Sequence, residues 1–223
     1  MARKGILLLT LLVFIAGMAF AQARNTITVD TGPLIAGAAF GAAGDMIDDD
    51  GAGTSGFGIG LQYERDLNSM LSLAARFAYL GLGAGMSAVG ENLDMEIRSW
   101  SAEANVRFYP FARSFFLNGM IGYANLATDF SGSALDNSFN ASRSYVKLGA
   151  KLGWRFVFGR QGGFVFEPSF GYAHGIGLGD SFGSRLEDHL TVDAEEFVDF
   201  FKILEQLIFI GGPRISLAFG WKF

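Results

Sequence analysis

The C-terminal residues 213–223 alternate apolar side chains with small or polar ones, and this regularity limits the possible folds more than any other feature of the chain. Successive side chains of a β-strand point to opposite faces, so the segment predicts a strand with one apolar face. The residues of that face are Ile215, Leu217, Phe219, Trp221 and Phe223. An apolar face of this kind needs either a protein core or lipid against it.

The first residues have the layout of a secretory signal peptide. Arg3 and Lys4 precede an apolar run from Ile6 to Ile15, and small residues ending at Ala23 offer a cleavage site, with Ala21 as the alternative. We therefore predict a signal peptide at residues 1–23 and one domain at residues 24–223. The exported chain has no cysteine, which rules out disulfides and thiolate metal sites.

The hydrophobicity of the mature chain is not arranged as transmembrane helices. Apolar residues make up 50% of the sequence, yet no mature segment reaches the roughly 20 consecutive apolar residues that a spanning helix requires. Because lipid cannot hydrogen-bond to open backbone groups, the other structure that crosses a membrane is a closed sheet of alternating strands.

The two-residue periodicity predicts eight strands. They lie at residues 32–41, 57–64, 71–79, 100–108, 115–124, 146–156, 164–173 and 213–223, and residues 25–29 alternate only weakly. Long connections at 42–55, 81–96, 127–144 and 175–212 alternate with turns of a few residues. This predicts an all-β fold, an eight-stranded antiparallel transmembrane up-and-down β-barrel, with short periplasmic turns, long extracellular loops and both termini in the periplasm.

Eight charged residues of the predicted strands lie opposite the apolar faces, so we expect them to form a structural ion-pair network in the lumen. They are Glu64, Arg76, Glu103, Arg107, Lys147, Lys151, Arg155 and Glu167. Aromatic residues beside the short turns predict an interfacial girdle. They are Tyr63, Phe108, Tyr109, Phe111, Phe115, Phe156, Phe158, Phe164, Trp221 and Phe223.

The last long loop contains one predicted helix, at about 194–207, which begins with Asp193 as N-cap and Glu196 in the first turn. Its apolar face consists of Phe197, Phe200, Phe201, Leu204 and Leu207. Such a helix either lies on the outer leaflet or covers the barrel mouth, where it would bind an apolar ligand, or it packs on the rim of its own barrel.

The sequence gives no support for an enzyme, a cofactor or a nucleic-acid partner. The two histidines, His174 and His189, have no serine and carboxylate in a suitable pattern. The acidic loop at 48–51 fails the spacing of a calcium site, and no basic patch is present. We expect a monomer with no catalytic, cofactor or metal site.

The strand count, the alternation of loop lengths and the terminal Phe223 together resemble the small eight-stranded outer-membrane barrels of bacteria, the OmpA transmembrane domain, OmpX and OmpW types. The resemblance implies outer-membrane lipid as a partner, and the outer-membrane assembly machinery, which would engage the C-terminal strand through Phe219, Trp221 and Phe223. OmpX-like proteins are associated with surface adhesion and OmpA-like ones with envelope integrity, which implies a non-enzymatic structural or surface-interaction role. The alternative is OmpW-like binding or passage of small hydrophobic compounds, and a soluble periplasmic β-sandwich is a third interpretation.

Overall fold

A computed structural model describes residues 25–38, 54–88, 91–111, 114–133, 138–159, 162–179 and 211–223. Within these ranges, nine strands form one antiparallel sheet. They are β1 Asn25–Asp30, β2 Thr54–Asp66, β3 Leu71–Ala88, β4 Glu91–Phe111, β5 Phe115–Ser131, β6 Phe139–Trp154, β7 Phe156–Phe158, β8 Gly163–Leu178 and β9 Gly211–Lys222. A short helix, α1, occupies residues 32–38.

The sheet closes on itself. Each strand from β1 to β5 pairs with the next along the chain, β9 pairs with both β1 and β8, and β8 pairs with β6. β6 and β7 pair with β8 in the same register, from Gly153↔Ser169 to Phe156↔Phe166, so they are one strand interrupted at Arg155. The ring therefore has eight strands, which confirms the predicted antiparallel barrel.

The barrel has a turn end and a loop end. The short connections after β2, β4 and β7 lie at the turn end, together with Asn25 and Phe223. The loop end carries the connections after β1, β3, β5 and β8. Among the described residues, no helix has both the length and the apolar character needed to cross a bilayer.

Side chains between the two ends alternate between an apolar exterior and a polar interior. Along β4, Trp100, Val106 and Phe108 are exposed on the outside. Ser101, Glu103 and Arg107 are buried on the inside. This arrangement suits a barrel surrounded by lipid, because apolar side chains face the acyl chains and charged ones face the lumen.

The first strand lies earlier than predicted, which corrects the strand proposed at 32–41. β1 is Asn25–Asp30, and residues 32–38 form α1; residues 39–41 lie outside the described residues. The Gly- and Ala-rich segment has little alternation, whereas Ile27 and Val29 face outward and Asp30 faces inward. The Asp30 carboxylate accepts a hydrogen bond from the Gly32 amide at 2.8 Å, and this contact turns the chain out of the strand.

Two predicted loops are largely strand. Residues 81–88 and 91–96 continue β3 and β4, and residues 127–131 and 139–144 continue β5 and β6. β8 likewise reaches Leu178, while residues 180–210, including the predicted helix at 194–207, lie outside the described residues. We call the added part of the sheet, residues 81–88, 91–99, 125–131 and 139–144, the extension.

The polarity of the two faces inverts in the extension, although the alternation of buried and exposed positions continues unchanged, and this inversion hides its strands from the lipid-facing pattern. Ile97 and Leu126 are buried on the inner face, whereas Glu96, Arg98 and Asp129 are exposed on the outer face. An apolar interior and a charged exterior are typical of a sheet that stands in water. The extension therefore projects beyond the lipid-facing band.

Candidate functional site in the barrel lumen

Inward side chains form three layers along the barrel axis. The turn-end cluster consists of Glu64, Asp66, Ser72, Arg107, Tyr109, Arg155, Glu167 and Lys222. The middle cluster consists of Asp30, Arg76, Glu103, Lys147, Lys151, Arg214 and Ser216. The apolar layer at the loop end consists of Leu82, Met95, Ile97, Leu126, Phe130, Ala141 and Tyr145.

Glu64 is the centre of the turn-end cluster. Its carboxylate accepts hydrogen bonds from Arg107 Nη1 at 2.6 Å and from the Tyr109 hydroxyl at 2.7 Å. Ser72 Oγ donates to the same carboxylate at 2.5 Å, and Arg155 forms an ion pair with it. Because charges buried in this way are stable only when paired and hydrogen-bonded, the four partners explain how Glu64 can be 1% exposed.

Glu167 and Asp66 complete the turn-end cluster. Arg107 Nη1 lies 2.9 Å from Glu167 Oε2, and Arg155 forms a second ion pair with Glu167. Lys222 Nζ lies 2.8 Å from Asp66 Oδ2. Three carboxylates thus match three cations, and the cluster is neutral.

Backbone features of the strands place these side chains. Ser72 on β3 and Arg107 on β4 are register partners, and both side chains point inward at the same level and reach Glu64 on β2. Arg155 stands between β6 and β7, and its amide donates to the Ser114 carbonyl at 2.6 Å, which continues the register that pairs Phe115 with Trp154. The Arg155 guanidinium lies 5.2 Å from the Tyr109 ring centre, a cation–π contact.

Arg76 links the two carboxylates of the middle cluster. Its Nε lies 2.6 Å from Asp30 Oδ2, and its Nη1 lies 2.9 Å from Glu103 Oε2. Arg214 Nη1 contacts the other Glu103 oxygen at 3.0 Å, and Ser216 Oγ donates to Asp30 at 2.5 Å. Arg76 and Glu103 are register partners of β3 and β4, so this ion pair is built into the strand pairing.

The two lysines of the middle cluster differ from the other charges. Lys147 is 7% exposed and Lys151 is 9% exposed. Neither forms a hydrogen bond or ion pair with another residue in the described ranges, whereas the other six predicted lumen residues all form ion pairs. Arg76 and Arg214 together with the two lysines give four cations against Asp30 and Glu103.

Several lumen residues were not singled out from the sequence. Asp30 lies on the weakly patterned β1, and Asp66 lies in a predicted turn. Arg214 and Lys222 lie on the polar face of the C-terminal strand, so the alternation of that strand is a signal that could have identified them as lumen residues. Tyr109 corrects the predicted girdle: it shares the inward parity of Arg107 and is 1% exposed.

Aromatic rings on the outside form a belt at the turn end. Trp221 and Phe223 are exposed there. The ring centres of Phe115 and Trp154 lie 5.4 Å apart, and those of Phe164 and Phe219 lie 6.4 Å apart. Aromatic rings at this density are typical of a membrane interface.

A second belt lies nearer the loop end. Trp100 stacks with Phe77 at 6.4 Å and contacts Tyr123 at 5.6 Å. Trp100 and Phe108 are eight positions apart on β4, which corresponds to roughly 20 Å along the axis of a tilted strand. That separation is comparable to the apolar band of about 25 Å in barrels of bacterial outer membranes.

Within the described ranges, no group of histidine, cysteine or carboxylate side chains is arranged to hold a metal ion. His174 is exposed on the outer face of β8, and His189 lies outside the described residues. The predicted C-terminal signal residues Phe219, Trp221 and Phe223 are exposed on the outer face of β9 and at its end. The apolar residues of the predicted loop helix fall in the undescribed range 180–210.

A closed antiparallel ring that is apolar outside and charged inside defines the class of membrane-spanning β-barrels. The sequence matches the outer membrane protein beta-barrel domain family over residues 7–195, and the chain belongs to that family. The protein is thus an outer-membrane β-barrel in contact with membrane lipid.

Solved barrel structures are similar to this chain. Ail, the attachment invasion locus protein of Yersinia pestis, in complex with the heparin analogue sucrose octasulfate, has a TM-score of 0.48 and 15% identity, covering 90% of this chain and 99% of Ail. A structure of Ail without the analogue gives 0.47 and 14% identity, with the same coverage of 90% and 99%. CarO of Acinetobacter baumannii gives 0.40 and 13% identity, covering 77% of this chain and 95% of CarO. A search of curated protein sequences finds no match.

Proposed function

We propose that this protein is a non-enzymatic outer-membrane barrel, closed to solutes, with a structural or surface-interaction role. The turn-end cluster is the observation that carries the proposal. It joins Glu64 on β2, Arg107 on β4 and Glu167 on β8, and so crosses the lumen between opposite parts of the ring.

The size of the barrel supports closure. An eight-stranded barrel has an interior just wide enough for its own side chains. Passage of a solute through the turn end would require separating Arg107 from Glu64 and Glu167. Breaking a buried ion pair costs about 3–5 kcal/mol, so several such steps make a permanent pore unfavourable.

We further propose the orientation of the barrel. In bacterial barrels the short turns face the periplasm and the longer connections face outward. The signal-peptide pattern at residues 1–23 supports export, and the outward aromatic residues Phe219, Trp221 and Phe223 support assembly through the C-terminal strand. The extension would then stand at the cell surface, where its charged outer face is available to a partner.

Conductance in planar bilayers tests the closed barrel. We expect no steady channel from the wild-type protein. In Arg107→Ala, which removes a cation shared by two carboxylates, we expect brief openings. Arg98→Ala is a matched control, because Arg98 pairs with Glu96 and Asp129 outside the lipid-facing band, and it should stay silent. A stable wild-type channel would contradict closure.

The proposed role at the cell surface needs a separate test. A strain lacking the protein is compared with strains that express the wild type or Asp129→Ser, which removes an exposed acid of the extension. Loss of the protein should raise detergent sensitivity if the role is structural, or reduce attachment to a surface if it is adhesive. Unchanged values for both would exclude this function.

The second candidate, binding or passage of small hydrophobic compounds, rests on the apolar layer. Leu82, Ile97 and Leu126 give the loop end of the lumen an apolar lining, and the amphipathic helix predicted at 194–207 would offer Phe197, Phe200, Phe201, Leu204 and Leu207 as a matching surface. Cells expressing Ile97→Asn should then take up an apolar dye more slowly than wild-type cells. Equal uptake by wild-type and deletion strains would exclude this alternative.

A further inference from the structure

The middle of the lumen carries two positive charges in excess. Asp30 and Glu103 are its only carboxylates among the described residues, and their oxygens already accept from Arg76, Arg214 and Ser216. Among the described residues, no carboxylate forms an ion pair with Lys147 or Lys151. Buried charge without compensation is strongly unfavourable, so a counter-charge is expected there.

The strand neighbours of the two lysines carry no charge of their own. In the strand register, Lys147 lies between Gly122 and Gly175. Lys151 lies between Asn118 and Gly171, and a Cβ atom at Gly171 would come within 2.7 Å of Lys151 Cγ. The lysine side chain thus crosses over a glycine that must stay small. A Cβ atom at Gly122 would likewise come within 2.8 Å of Glu103 Cγ, so the side chains of the middle cluster extend over these glycines.

We propose that Lys147, Lys151 and Arg214 bind a small inorganic anion, of the size of chloride or phosphate, in the middle of the lumen. In the strand register, Gly171 lies between Lys151 and Arg214. Both lysines interact electrostatically with Arg76, Arg214 and Glu103, and Lys151 also interacts with Asp30, so four cations share two carboxylates in one layer of the lumen. The turn-end cluster, in contrast, is neutral and has no such excess.

Access to the proposed site is from the loop end. The Arg214 side chain is 24% exposed, whereas those of Arg76 and Glu103 are 5% and 0% exposed. Arg214 lies near the start of β9, on the side away from the turn-end cluster. An anion would therefore reach the lysines past Arg214. The site goes beyond the proposed function, since a bound counter-ion requires no transport.

The test uses the refolded full chain in detergent micelles. The urea midpoint of unfolding is measured at constant ionic strength while sodium chloride replaces sodium gluconate, whose anion is much larger than chloride. A ligand that binds only the folded state stabilises it in proportion to the logarithm of its concentration above Kd. We expect the wild-type midpoint to rise with chloride in this way.

Two variants separate a site from general salt effects. Lys147→Met/Lys151→Met should lose the chloride dependence and be at least as stable as wild type in gluconate, because it removes two uncompensated charges. Lys222→Met is the matched control: Lys222 is also buried and inward, but is paired with Asp66. It should be less stable in both salts and keep the full chloride dependence.

Crystals grown with bromide give a readout that does not depend on stability. Anomalous density between Lys147, Lys151 and Arg214 supports the site, and its absence at high bromide concentration overturns it. If the double variant does not fold, the two single variants are tested in the same way. The proposal is also overturned if the wild-type urea midpoint does not change with chloride, or if Lys222→Met loses the chloride dependence to the same extent as the double variant.

Discussion

Replacing Glu64 by glutamine tests whether the turn-end cluster is the structural centre of the barrel. The change keeps the shape of the side chain but removes the charge that Arg107 and Arg155 share. Glu167 is then the one carboxylate that both arginines still contact. One positive charge at the centre of the cluster becomes uncompensated, at a position where Glu64 is 1% exposed.

The magnitude follows from the burial. Removing one partner of a buried ion pair costs about 3–5 kcal/mol, which lowers the ratio of folded to unfolded protein by a factor of roughly 10²–10⁴. Glu96→Gln is the matched control, since Glu96 also pairs with an arginine, Arg98 Nε at 3.0 Å, but its side chain is 61% exposed. An exposed pair contributes at most about 1 kcal/mol.

Urea unfolding in lipid vesicles measures both variants. Trp100, Trp154 and Trp221 are exposed on the outside of the barrel, so their fluorescence reports the loss of lipid contact. The urea dependence of the unfolding free energy should be unchanged, because the same surface is exposed on unfolding. The double variant Glu64→Gln/Arg155→Gln restores neutrality and should recover part of the loss. Equal effects of Glu64→Gln and Glu96→Gln would refute a dry, tightly coupled cluster.

Three further predictions concern the wall of the barrel. Gly220→Ala should lower stability by about 1–3 kcal/mol through overpacking, because the added Cβ would collide with the backbone of β1. In the control Gly119→Ala the added Cβ meets open space, so stability should change by less than about 0.5 kcal/mol. Urea midpoints measure both variants. Ile121→Lys should cost about 2–4 kcal/mol at the centre of the apolar band, while Ser131→Lys in the extension should be near neutral in the same titration. Removing Phe223 should slow assembly, measured as a smaller heat-modifiable fraction on a gel at early times after induction; an unchanged fraction would contradict a C-terminal assembly signal.

The barrel itself was predictable because one rule acts on every lipid-facing strand. Apolar residues at every second position, as from Val146 to Trp154, identify both the strand and the side that faces lipid. This pattern does not identify β1, because the strand has only Ile27 and Val29 as large apolar residues on its outer face. The following Gly- and Ala-rich segment could be taken for a strand, since its small side chains fit either face.

The site was predictable only in part, for a geometric reason. Parity assigns Glu64 and Arg155 to the lumen, but they are 91 positions apart, and their contact depends on how far each strand is shifted when the ring closes. A single-strand pattern contains no information on that shift. Parity also placed Lys147 and Lys151 inside without showing that glycines, rather than carboxylates, would be their neighbours.

The change in polarity of the two faces at the extension is best explained by a change of solvent around the barrel. On β4 the change lies between Trp100 and Arg98, and on β5 it lies between Tyr123 and Asn125. Trp100 and Asn125 are register partners, so both strands change at the same height. Local sequence preferences would have no reason to coincide on separate strands. A membrane boundary explains the coincidence, because it crosses all strands of a barrel at one level. The aromatic contact between Trp100 and Tyr123 lies at that level.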